Sequence, residues 1–289
     1  MYYFVHFKIK FYGTFPFTSH KISSVVTRNY SSSFYLSTTL LEPEIRTAIH
    51  GIYGFVRYAD EIVDTFHDFN KVVLINEFEK EMQLAIERGI SLNPVLDAFQ
   101  IAVNKYNIPY AYIDAFMKSM KMDISKKEYL NAAETEEYIY GSANVVGLMC
   151  LKVFCFHDQK LFEALVHPAE MLGSAFQKVN FLRDLKADVE GLERSYFAGF
   201  DKNNFDEKAK MALITDIEKE FDIALTGLRR LPGRSRLAVL TAYTYYRTLL
   251  NKIKRTEAGL ILQKRIRISN TRKLTLMAKA AIEYKLNLM

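Results

Sequence analysis

The chain has 289 residues, of which 49% are hydrophobic and 25% are charged, and its formal net charge is +6. This composition is typical of a globular chain that can bury a sizeable core. Two cysteines exclude a disulfide framework, and no zinc spacing, glycine-rich nucleotide motif or serine-hydrolase motif is present. The basic charge suits a polyanionic ligand or an acidic membrane surface, whereas no nucleic-acid recognition motif accompanies it.

Hydrophobic periodicity predicts an all-α fold behind a short leader. Residues 1–17 are aromatic and basic, and they are too short and too charged to span a bilayer, so we expect a loosely ordered leader. Helix signals then begin near Ser19 and recur at Pro43, Asn70, Pro94, Pro109, Glu136, Pro168 and Asp206. Because no β-alternating run of useful length appears, we expect residues 18–289 to form a single all-α domain.

The predicted helix from Pro43 to about Phe66 carries a narrow polar stripe on an otherwise apolar surface. The stripe consists of Tyr53, Arg57, Asp60 and Asp64, at intervals of four, three and four residues. At about 100° per residue these intervals place all four side chains on one face of a helix.

A matching stripe appears on the helix predicted from Pro168 to about Gly191. It consists of Gln177, Asn180, Asp184 and Asp188, at intervals of three, four and four. Unpaired charge on a buried helix is costly, and a hard divalent cation, which prefers carboxylate and amide oxygens, would neutralise it. The structural alternative is a buried ion-pair network that joins Arg57 to Asp60, and Arg183 to Asp184 or Asp188.

Two other stretches have a structural and a functional interpretation. Gly141, Ser142, Ala143 and Gly147 put small residues on an apolar helix over Glu136–Phe156, where they allow close helix packing or leave room for a long ligand. The hydroxyl cluster Ser31–Ser33 is typical of a turn or helix cap, and it could also contact a ligand.

The two stripes carry a resemblance to a known family. RYADEIVD (Arg57–Asp64) and NFLRDLKAD (Asn180–Asp188) resemble the two aspartate-rich motifs of the squalene/phytoene synthase family, in the same order and at a similar separation. SSSF (Ser31–Phe34), YIYGSANVVG (Tyr138–Gly147), ERSYF (Glu193–Phe197) and YRTLLNKI (Tyr246–Ile253) also match, so that the resemblance covers roughly residues 19–275.

The resemblance implies an isoprenoid-synthase-type helical bundle with a central apolar cavity, and a role for each matching residue. It assigns Mg²⁺, with Mn²⁺ as an alternative metal, to Asp60, Asp64, Asn180, Asp184 and Asp188, and it makes the four aspartates, Arg57 and Tyr246 catalytic. Ser31, Ser33, Arg57, Gln177, Arg183, Tyr246 and Arg265, with Arg267 as an alternative to the last, would contact diphosphate oxygens or bound water. Phe34, Tyr138, Ala143, Val146 and Gly147 would line the hydrocarbon tunnel.

The activity that the resemblance implies is head-to-head condensation of two geranylgeranyl diphosphates to phytoene, through a cyclopropylcarbinyl diphosphate and without NADPH. The first alternative is a squalene or dehydrosqualene synthase that uses farnesyl diphosphate. The second is a non-catalytic assembly-factor relative, although such relatives tend to lose the aspartates that are intact here. We expect no nucleic-acid partner and a cytoplasmic protein that associates with the inner membrane face at most peripherally.

Overall fold

The computed structural model describes residues 13–126, 129, 131–190, 196–197 and 205–286, without the side chains of residues 187–190. Over these residues the chain is helical and contains no strand, as the sequence predicts. The helices are α1 (Phe15–Tyr30), α2 (Ser32–Thr38), α3 (Pro43–Asp64), α4 (Lys71–Arg88), α5 (Pro94–Tyr106), α6 (Tyr110–Ser125), α7 (Ala132–Ile139), a π-helical turn (Tyr140–Asn144), α8 (Val145–Phe154), α9 (Gln159–Glu190), α10 (Glu207–Leu228), α11 (Gly233–Lys254), α12 (Ala258–Ile261) and α13 (Asn270–Leu286). None of the described helices is long and apolar enough to cross a membrane.

Local signals place several helix ends where the sequence predicts them. The Asn70 side chain caps α4 by accepting a hydrogen bond from the Val73 amide at 3.2 Å. Gly89 ends the same helix in the left-handed region at φ 69°, which a glycine adopts without a Cβ penalty. Helix α1 begins at Phe15, so that the last part of the predicted leader is helical, whereas residues 1–12 lie outside the described residues.

The predicted start of the second acidic helix at Pro168 is wrong, because α9 begins at Gln159 and carries Pro168 in its interior. A proline there removes one helical hydrogen bond and normally kinks or ends a helix. Packing against α8 and α10 holds α9 together, and Gly227 of α10 leaves room for the proline ring. A Cβ added to Gly227 would lie 2.3 Å from the Cβ of Pro168.

The predicted apolar helix over Glu136–Phe156 is likewise interrupted, since a π-helical turn separates α7 from α8. Single π turns inside α-helical segments are frequent at functional sites. This turn brings Gly141 against α6, where an added Cβ would lie 2.4 Å from the main-chain oxygen of Ala115. Close helix packing therefore explains Gly141.

The described part of the chain contains three hydrophobic clusters, and the two larger ones position the stripes. The first cluster is built mainly from α3, α4, α5, α6 and α8, and the second from α9, α10 and α11 with parts of α12 and α13. Helix α3 belongs to the first cluster and α9 to the second. Partly exposed apolar side chains pack against each of these two clusters. They include Phe34, Val56 and Val146 at the first cluster and Leu172, Phe176 and Tyr246 at the second.

Candidate active site

The first stripe lies on α3, on a face where each polar side chain keeps partial exposure. Arg57 forms an ion pair with Glu61, one turn further along, and a longer contact of 3.9 Å with Asp60. The Arg57 guanidinium also lies over the Tyr30 ring, 4.4 Å from its centroid. The sequence predicts the Asp60 partner and misses Glu61, because both spacings are possible on a helix.

Asp60 lies in surroundings that oppose its negative charge. Burial and the negative charge of Asp64 raise the pKa of Asp60 to about 8, although Arg57 acts in the opposite direction. Two carboxylates one helical turn apart repel each other when both are ionised. A bound cation would let both carry their charge.

The second stripe lies on α9 and is bound to α11 and to the segment that precedes α13. The Asp184 carboxylate accepts hydrogen bonds from Arg183 Nη2 at 2.5 Å and from Arg265 Nη2 at 3.4 Å, and it forms an ion pair with Arg265 Nε at 2.7 Å. The Tyr246 hydroxyl donates to Asn180 Oδ1 at 3.2 Å. The structure thus brings Arg265, rather than Arg267, to the acidic stripe.

Tyr53 of the first stripe lies near enough to Tyr246, the α11 partner of Asn180, for negative charge on one to act on the other. Burial raises the pKa of Tyr53 to about 12, and negative charge on Asp60 and on Tyr246 adds to the rise. Tyr53 stacks on Phe34 with ring centroids 4.9 Å apart, and Tyr246 stacks on Phe176 at 4.0 Å. Tyr53 on α3 and Tyr246, the partner of Asn180 on α9, therefore each pack on an aromatic ring, Tyr53 beside the first hydrophobic cluster and Tyr246 beside the second.

The ion pairs of the structural alternative are also present in this geometry, since Arg57 contacts Asp60 and Arg183 binds Asp184. Other predicted diphosphate contacts lie at the edge of the same region. Ser31 caps α2 by accepting a hydrogen bond from the Phe34 amide at 3.3 Å, which is the helix cap that the hydroxyl cluster predicts. Gln177 is half-buried one turn before Asn180. The Asp188 side chain lies outside the described residues.

The predicted tunnel residues lie on α2, α7, the π turn and α8. Ala143 and Val146 are half-buried, and Tyr138 is buried at 4% exposure. A Cβ added to Gly147 would lie 3.3 Å from the Ala169 main-chain oxygen of α9, which shows that this glycine permits a close helix contact. The lining of a hydrocarbon tunnel by these residues stays a prediction.

Sequence reasoning missed Asp123, a carboxylate on α6 that is only 5% exposed. It accepts a hydrogen bond from the Tyr138 hydroxyl at 2.6 Å, and the Tyr196 hydroxyl lies 3.5 Å from its other oxygen. Its negative charge also contributes to the raised pKa of Asp60. The sequence does indicate a buried carboxylate here, because Asp123 follows Phe116 and Met120 on the apolar face of α6.

The donor set fits Mg²⁺ that is shared with a phosphate ligand. Among the described side chains, no three carboxylate, imidazole or thiol groups converge closely enough to hold a metal by themselves. Mg²⁺ in phosphate-transferring sites typically uses one or two carboxylates, and substrate oxygens and water complete its shell. Asp60 with Asp64, and Asp184 with the Asn180 amide, supply such partial sets from two helices.

Comparison with known proteins places the chain among prenyl synthases. The sequence model described as squalene/phytoene synthase matches residues 27–272. The phytoene synthase of Pseudescherichia vulneris is 28% identical over 265 residues, covering 83% of each chain. The 15-cis-phytoene synthase of Pantoea ananas is 26% identical over 247 residues, covering 78% of this chain and 79% of that one.

Solved structures share the fold. A dehydrosqualene synthase bound to a ligand superposes with a TM-score of 0.80 at 21% identity, over 93% of this chain and 98% of that one. A squalene synthase from Alicyclobacillus acidocaldarius gives a TM-score of 0.73 at 18% identity, over 83% and 94% of the two chains. These matches confirm the all-α isoprenoid-synthase fold, and the family match with the phytoene synthase relatives confirms the prediction of a prenyltransferase. The chain belongs to the squalene/phytoene synthase family.

Proposed function

We propose that the chain is a Mg²⁺-dependent phytoene synthase that condenses two geranylgeranyl diphosphates head to head. The observation that carries the proposal is the pair of acidic stripes on α3 and α9, whose neighbours Tyr53 and Tyr246 interact electrostatically and each stack on an aromatic ring. The family and its phytoene synthase relatives support the same reaction.

The metal would be held by Asp60 and Asp64 on α3 and by Asn180, Asp184 and Asp188 on α9, with Mn²⁺ as an alternative to Mg²⁺. When bound, it supplies positive charge to a departing diphosphate. Asp184 is already held by two arginines, so Arg183 and Arg265 are in place to contact diphosphate oxygens beside it. Arg57 on α3 and Tyr246 on α11 would play the same part, and Ser31, Ser33 and Gln177 would add neutral donors.

The reaction proceeds in two ionisations. In the first, the allylic C–O bond of one substrate breaks, diphosphate leaves, and the double bond of the second substrate attacks the cation. Loss of a proton closes the cyclopropane ring of a cyclopropylcarbinyl diphosphate. In the second, the remaining diphosphate leaves, the cation rearranges to the 1-1′ linked skeleton, and loss of another proton gives the central triene of phytoene.

The carbocations require surroundings that exclude water and stabilise positive charge. Aromatic faces provide such stabilisation, and Phe34 and Tyr138 are the family-matched aromatic residues beside the site. Ala143, Val146 and Gly147 are small or short side chains that would leave the length of tunnel needed by a twenty-carbon chain. A fifteen-carbon substrate, as in squalene and dehydrosqualene synthases, is the alternative that fits the same fold.

We further propose that residues 18–289 act as one prenyl synthase domain in the cytoplasm that associates at most peripherally with the inner membrane face. The net charge of +6 and the lipid nature of substrate and product support this location.

Product identification tests the proposed function. Purified protein is incubated with Mg²⁺ and either labelled geranylgeranyl or labelled farnesyl diphosphate, with and without NADPH. We expect phytoene from the twenty-carbon substrate, at the same rate whether or not NADPH is present. A thirty-carbon product alone would establish the farnesyl alternative, NADPH-dependent squalene would refute the hydride-free reaction, and no hydrocarbon from either substrate would favour a non-catalytic relative.

A further inference from the structure

Lys273, on the C-terminal helix α13, lies beside the hydroxyl cluster that precedes and opens α2. Its ammonium donates to Ser32 Oγ at 2.8 Å and lies 5.8 Å from the centroid of the Tyr245 ring. Ser33 and Tyr245 line the same small cavity as Lys273. The resemblance assigns no role to this lysine, which lies near the end of the matching region.

The charges around Lys273 are unfavourable to a cation. Its side chain is half-buried, and both burial and the positive charge of Arg183 lower its pKa. Arg57, Arg183 and Arg265 each contact a carboxylate, whereas no described carboxylate lies within ion-pairing distance of Lys273. A half-buried ammonium near a second cation is stabilised when an anion binds between them.

We propose that Lys273 binds the diphosphate of one prenyl substrate between Arg183 and the Ser32–Ser33 hydroxyls. This inference rests on the proposed function and adds a diphosphate contact from the C-terminal helix. Three donors on a compact ammonium suit the oxygens of a diphosphate, and contacts between charged partners are stronger than neutral hydrogen bonds. Helix α13 thereby becomes part of the substrate site.

The test compares Lys273→Met with Lys273→Arg and with the control Lys279→Met. Lys279 lies on the same helix, is exposed, and pairs with Glu283 at 3.5 Å. Binding of inorganic diphosphate in the presence of Mg²⁺ is measured by calorimetry on each full-length variant, and thermal unfolding verifies the fold. KM and kcat for the prenyl diphosphate are measured in parallel, and Lys273→Gln repeats the test if the methionine variant does not fold.

We expect Lys273→Met to weaken diphosphate binding about tenfold or more, which is the usual effect of losing one charged hydrogen bond. KM for the prenyl diphosphate should rise by a similar factor, Lys273→Arg should recover most of the binding, and Lys279→Met should bind as the wild type does. Wild-type-like diphosphate binding by Lys273→Met would overturn the assignment of Lys273 while phytoene formation continued to support the proposed function. Binding that depends on Lys273 in a protein that forms no hydrocarbon would support this site and refute the proposed function.

Discussion

Replacing Asp60 with asparagine should separate stability from activity. In the metal-free protein, burial and the charge of Asp64 raise the pKa of Asp60 from 3.8 to about 8. A carboxyl whose pKa is raised on folding destabilises the folded state above its unfolded pKa, and the penalty grows until the pH reaches the folded value. Asp60→Asn removes that penalty, because the amide carries no charge at any pH.

The size of the effect follows from the pKa and the exposure of the side chain. A rise from 3.8 to about 8 corresponds to about 6 kcal/mol at alkaline pH, with each pKa unit taken as about 1.4 kcal/mol. Because 32% of the Asp60 side chain is exposed, water screens much of this penalty, and we expect a gain of about 1–2 kcal/mol near pH 8. Turnover should fall by a factor of about a hundred or more, as for the loss of one preorganised electrostatic element.

The assay measures thermal unfolding in EDTA between pH 4 and pH 8, followed by turnover at saturating Mg²⁺. Asp60→Asn should unfold a few degrees above the wild type near pH 8, and the difference should shrink towards pH 4. Glu44→Gln, which removes an exposed carboxylate at the other end of α3, is the matched control and should leave turnover unchanged. A variant that is less stable than the wild type and still turns over normally would reduce Asp60 to an ion-pair partner of Arg57.

Three further predictions concern the second stripe, the missed carboxylate and the tunnel. Asp184→Asn should lower turnover about a hundredfold or more and raise the Mg²⁺ concentration needed for half-maximal rate, whereas an unchanged Mg²⁺ dependence would exclude Asp184 as a metal ligand. Asp123→Asn and Tyr138→Phe should each lower turnover. Because one hydrogen bond joins the two side chains, their effects on turnover should not add in a double-mutant cycle. Additive effects would mean that the two residues act separately. Ala143→Phe should shift substrate preference from twenty towards fifteen carbons in competition assays, and an unchanged ratio would remove Ala143 from the tunnel wall.

The parts of the fold that depend on local signals were predictable from the sequence. Pro43, Asn70, Gly89 and Pro94 mark helix ends because a cap or a fixed φ acts within one turn of the chain. The acidic stripes were predictable for a related reason, since fixed intervals on a helix put side chains on one face.

What the sequence could not give depends on residues far apart in the chain. The continuation of α9 through Pro168 depends on Gly227, 59 positions later, which has no side chain to block the ring. The importance of Asp123 depends on Tyr138 and Tyr196, which approach it only in the folded protein. The resemblance favoured Arg265 and left Arg267 open as an alternative, and the contact of Arg265 with Asp184 exists only in the folded protein.

The proposed function requires that α3 and α9 together bind metal and diphosphate. A crystal structure with Mn²⁺ and a non-ionisable thiodiphosphate analogue of geranylgeranyl diphosphate would reveal this binding, because Mn²⁺ is located by its anomalous scattering. We predict anomalous peaks within ligand distance of Asp60 or Asp64 on one side and of Asn180 or Asp184 on the other, bridged by diphosphate oxygens. Diphosphate bound elsewhere, with Arg57–Asp60 and Arg183–Asp184 still paired and no peak between the helices, would contradict it.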